Sequence, residues 1–106
     1  MNRYILTQPY KKIATAVAFS PRLEANLAEA VRLASAFDAQ LILIHVGKKD
    51  DSKKAQLKAL LHKYLPGEDR VDIVWKEGKP VEVILKVSKE KGIDLLIAGA
   101  LQKESL

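Results

Sequence analysis

The sequence predicts an α/β fold, an open parallel sheet with helices packed on both faces. Two observations carry this. Short, nearly continuous apolar runs (Lys12 to Ala18, Leu41 to Val46, Ile93 to Ala98) suit strands covered on both sides. Segments with apolar residues at helical spacing lie between the strands, giving the order βαβαβαβ. Strands joined this way pair in parallel through right-handed crossovers.

Residues 1–9 show no clear period and read as an N-terminal lead-in; residues 10–106 read as one domain. After the first strand, Ser20 is a good helix cap and Pro21 stands where a first helical residue would be. Leu23, Leu27, Ala30, Val31 and Ala34 then recur on one helical face, ending near Phe37 and Asp38. The second strand follows. A polar loop from Gly47 to Ser52 carries capping residues, and Leu57, Leu60, Leu61 and Tyr64 define a second helix. Pro66 and Gly67 break it. Val71 to Trp75 alternates less cleanly and reads as a third strand at an edge. Pro80 opens a third helix with Val83, Ile84 and Val87 as its apolar stripe, and Gly92 stops it.

Composition narrows the chemistry. A chain of 106 residues forms one small domain. It has no cysteine, which removes disulfides, thiolate catalysis and cysteine metal sites. Its two histidines, His45 and His62, make a histidine-rich metal site an unfavourable reading. No apolar run approaches the ~18 residues of a membrane span, and the start lacks a signal-peptide core, so a cytoplasmic, soluble protein is expected. A net charge of +5 permits weak attraction to anions. Lys48, Lys49, Lys53, Lys54, Lys58 and Lys63 cluster around the second helix, and the plain reading is a solvated face. No reading helix accompanies them and aromatics are few, so nucleic acid is not expected as a partner.

In an open sheet, ligands sit at the carboxyl ends of the strands near the topological switch point. The candidate positions are therefore Ala18 to Ser20, Val46 to Lys48, Trp75 to Pro80 and Ala98 to Gln102. Neither GxxxxGK[ST] nor GxGxxG occurs, and Ser20 has no GxSxG context. His45, ending an apolar strand, reads as a packed or hydrogen-bonded side chain. Trp75 reads as a filler of the core rim, with a ligand-covering role as the alternative.

Taken in order, Tyr10-Lys11-Lys12-Ile13, Phe19-Ser20, Leu41 to Val46, Gly78-Lys79-Pro80 and Asp94 to Gly99 resemble the universal stress protein (UspA-like) domain. The resemblance runs from Tyr10 to Leu106. It implies a Rossmann-like, adenine-nucleotide alpha-hydrolase-like open parallel sheet with four strands of a usual five, order 3-2-1-4. It further implies frequent homodimers and adenine-nucleotide binding in one branch of the family. The positions it assigns to the nucleotide are Ala16, Val17, Ala18, Val46, Ala98 and Gly99. Val46 matches a contact to adenine, and Gly99 matches the start of the nucleotide loop.

Three departures stand beside these matches. Ala18 replaces the aspartate of the nucleotide-binding branch. Gln102 replaces the second loop glycine, adding bulk and removing access to positive φ. The later glycine-serine pair and the fifth strand have no counterpart before Leu106, as expected for a truncated or divergent short form. The resulting expectation is a non-catalytic regulatory module of the stress response, with weak or absent ATP binding and no cofactor. The alternative is an ATP- or AMP-binding member of that family whose nucleotide loop is completed by missing C-terminal residues; a further one is a nucleotide-dependent enzyme or switch of the same fold with weak ATP hydrolysis. Self-association through the open edge beyond the fourth strand is expected, together with a protein partner.

Overall fold

A computed structural model of the chain describes residues 10–66 and 70–97. The elements are β1 (Lys12–Ala16), α1 (Leu23–Ala36), β2 (Gln40–Val46), α2 (Asp51–Tyr64), β3 (Val71–Lys76), α3 (Pro80–Lys91) and β4 (Leu95–Ile97). All strands pair in parallel, in the order β3-β2-β1-β4. The expected α/β class and strand order are those observed. The expected lead-in, residues 1–9, lies outside the described residues, as do Ala98, Gly99 and Gln102.

The parity of the strands divides the core. Ile13, Val17, Leu41 and Leu43 face α1 and α2, where Leu27 and Leu57 meet them. Ala14, Ile42 and Ile44 face α3, which seats Val87 against them. Both faces of β1 and β2 are therefore covered, which is why their sequences read as unbroken apolar runs. Each fully buried aliphatic side chain contributes roughly 1.5–3 kcal/mol by leaving water.

The helices end as their residues dictate. The five apolar positions of α1, Leu23, Leu27, Ala30, Val31 and Ala34, are its buried residues. At α2, Asp50 accepts the backbone N–H of Ser52 at 2.8 Å and of Lys53 at 3.1 Å. This carboxylate satisfies two donors of the first turn. Pro80 occupies the first position of α3, and Gly92 closes the helix in the left-handed region at φ 65°.

One expectation is corrected. Ser20 does not cap α1; the cap position is Arg22, with no side-chain cap bond. Ser20 instead closes a turn around Pro21. Its hydroxyl accepts the Arg22 N–H at 3.2 Å, and its carbonyl accepts the Leu23 N–H at 3.0 Å. A short polar side chain that bonds its own neighbouring backbone favours such a turn over helix. The helix consequently starts after that turn.

Two links tie β4 to β1 beyond the ladder. The Thr15 hydroxyl donates to the Ile97 carbonyl at 3.1 Å. At the other end, Asp94 Oδ2 accepts the N–H groups of Lys11 and Lys12, each at 2.9 Å. These two donors hold the Asp94 carboxyl below the usual aspartate range.

Candidate functional site

The carboxyl ends of the strands gather the residues singled out from the sequence. The strand order reverses between β1 and β4, so the switch point lies beside the end of β1. There Thr15, Ala16, Val17, Ala18, Leu23, Asn26 and Leu27 line a cavity of about 10 Å³. That is room for about one water, and no lining side chain is charged. Ala16, Val17 and Ala18 are thus brought together. Val46 is not among them: it packs on the α3 side of the sheet with Ile44 and Val74. Ala98 and Gly99 lie outside the described residues.

A second concavity, larger, sits at the ends of β2 and β3. Its volume is about 440 Å³, and its walls are Gly47, Lys49, Lys54, Ile73, Trp75, Lys76 and Glu77. Beside it stands an aromatic cluster. His45 and Trp75 are direct neighbours in the β2–β3 register, on the face turned to α2. Their rings meet edge to face at 4.8 Å. Phe19, just past β1, stacks on Trp75 with centroids 6.0 Å apart and meets the His45 ring at 5.0 Å. The Lys53 ammonium lies over the outer face of this cluster, 5.5 Å from the centre of the Phe19 ring.

His45 is fixed at both ring edges. Its Nδ1 lies 2.8 Å from the Val17 carbonyl oxygen. A carbonyl only accepts, so Nδ1 carries the proton. The opposite edge abuts Gly47, where a Cβ would stand 2.9 Å from His45 Nε2. Gly47 also adopts a φ of 157° and donates its N–H to the Lys76 carbonyl at 2.8 Å. This bond ties the end of β2 to the end of β3, and both residues line the larger cleft. His45 is therefore the packed and hydrogen-bonded residue the sequence suggested, and His62 is exposed on α2.

Trp75 is half-buried and lines the cleft. Its indole Nε1 is buried with no acceptor among the described residues. Lys48, Lys49, Lys53, Lys58 and Lys63 are exposed, as a solvated face requires, and Lys54 is half-buried. Lys63 bonds Glu24 of α1, Lys53 covers Phe19, and Lys49 and Lys54 turn to the cleft, where Lys76 joins them. That convergence was missed from sequence. Lys76 is on another element, and only the β2–β3 register brings it to the same cleft. Among the described residues no cluster of histidine and carboxylates is arranged to hold a metal. No described helix is long and apolar enough to cross a membrane.

The fold is an open α/β domain with two crevices at the carboxyl ends of its strands. A sequence profile of the Universal stress protein family matches residues 9–106, and the chain belongs to that family. A search of the curated proteins gave no match. Solved structures similar in fold include a universal stress protein in complex with cAMP. It is 19% identical, with 83% of this chain and 70% of that chain covered, at a TM-score of 0.68. A universal stress protein from Archaeoglobus fulgidus is 22% identical, with 92% of this chain and 35% of that chain covered, at a TM-score of 0.73. UspA from Lactobacillus plantarum is 21% identical, with 91% and 81% covered, at a TM-score of 0.63.

Proposed function

We propose that this chain is a non-catalytic binding module of the stress response in the cytoplasm, with weak or absent ATP binding. It acts through self-association and a protein partner. The observation that carries the reading is the crevice at the end of β1. Its described walls enclose about 10 Å³ and bear no charge, with Ala18 at the position where the family resemblance implies an aspartate. Self-association is supported by the outer edge of β4, which pairs only with β1 among the described residues.

The second reading is an adenine-nucleotide-binding protein. It is favoured by the fold neighbour solved with cAMP and by Val46 at the expected strand end. Isothermal titration with ATP, AMP and cAMP separates the two. Heats of dilution alone for all three support the first reading. Saturable binding at low micromolar concentration establishes the second. Light scattering at high protein concentration tests self-association, and a monomer throughout contradicts it.

A further inference from the structure

The cleft at the ends of β2 and β3 lies apart from the β1 crevice and has different chemistry. Three lysines line it: Lys49 from the loop before α2, Lys54 from the first turn of α2, and Lys76 from the end of β3. One acid, Glu77, shares the lining. Asp50 and Asp51 begin α2 nearby, and the Asp50 carboxylate is already engaged by two backbone N–H groups. None of the three ammonium groups makes an ion pair with a described residue. Lys54 is nevertheless half-buried. Lys49 and Lys76 are exposed. Like charges gathered around one concavity favour an anion there.

The apolar part of the lining is Ile73 and Trp75. Trp75 is held by Phe19 and His45, and its Nε1 lacks an acceptor among the described residues. A volume of about 440 Å³ falls within the ~300–1,000 Å³ typical of small-molecule sites. Lysines are point charges without the planar fork of arginine, which suits a polyvalent phosphate better than a single planar carboxylate.

We infer that this cleft is a binding site for a small phosphate-bearing anion, held by Lys49, Lys54 and Lys76 over the Trp75 indole. It is distinct from the nucleotide positions Ala16, Val17, Ala18 and Val46. The inference does not rest on the reading under Proposed function. Nucleotide carried through purification contradicts that reading and leaves this one standing, because this one is judged on its lysines.

Trp75 is the single tryptophan, so its fluorescence reports the cleft directly. The full chain is titrated at low salt with sodium tripolyphosphate and, separately, with AMP. A saturable change with tripolyphosphate is expected, about tenfold weaker in Lys54→Ala/Lys76→Ala. Lys54→Arg/Lys76→Arg restores it, and Lys89→Ala on α3 leaves it unchanged. AMP binding more tightly than tripolyphosphate, with the same lysine dependence, assigns an organic phosphate; the reverse order assigns an inorganic one. No saturation with either ligand overturns the inference. So does equal affinity in the alanine double variant, or the same response to sodium chloride at matched ionic strength.

Discussion

The Nδ1 of His45 lies 2.8 Å from the carbonyl oxygen of Val17, bridging the ends of β2 and β1 from the side chain. One imidazole thus joins two strand ends and anchors the aromatic cluster that walls the β2–β3 cleft. Its replacement has two costs. His45→Leu removes the donor to a partly buried carbonyl, at about 1–3 kcal/mol. It also removes the edge contacts with Phe19 and Trp75. Urea unfolding is expected to show that loss of stability, together with a shift in Trp75 emission. An unchanged midpoint and spectrum would show that the bridge is idle.

Gly47 is the second half of the same arrangement. A Cβ there would meet His45 Nε2 at 2.9 Å, and the ring cannot swing away without losing Val17. Gly47→Ala is expected to destabilise the fold by about 1–3 kcal/mol, from the clash and the unfavourable φ. The compensating test is Gly47→Ala in the His45→Ala background. There the clash is relieved, and the added cost should shrink.

Leu57 is the one described residue of α2 that is fully buried. Leu57→Ala is expected to cost about 2–5 kcal/mol. The loss should appear first as faster amide exchange along α2, since Leu57 carries most of its anchoring. Uniform exchange acceleration over all elements would show instead that α2 unfolds only with the whole domain.

Asp94 gives a pH signature. Its folded pKa is lowered, first by the Lys11 N–H and then by the Lys12 N–H. A depressed carboxylate stabilises the fold above its unfolded value, about 3.9. That contribution is lost as pH falls through the lower folded value. Glu24 is lowered as well, by hydrogen bonds from Lys63 and then Tyr64, so it adds to the same acid limb. Asp94→Asn is expected to lower Tm at neutral pH and to flatten its fall below pH ~4. A parallel drop at every pH would remove Asp94 from the acid limb.

Much of the fold was legible because it depends on local rules. The α1 stripe, the Pro80 start and the Gly92 stop of α3 each follow from spacing or backbone preference, and each lies where the sequence placed it. Ser20 misled because its side chain suits a tight turn as well as a cap, and only the observed bonds tell them apart. The order of the strands rested on the family resemblance and agrees with the sheet. The cleft was not legible. His45 and Trp75 could be placed on one face by parity with Leu41, Leu43 and Ile73. That they are partners, and that Lys76 and Lys54 line one cleft, is a matter of register, which short apolar strands do not encode on their own.

On the proposed reading, this domain holds an adenine nucleotide at its switch point weakly or not at all. The most direct measurement is nucleotide release. The purified protein is heat-denatured, and the supernatant is separated on an anion-exchange column. The expected result is far less than one nucleotide per chain. Stoichiometric ATP or AMP would contradict the claim.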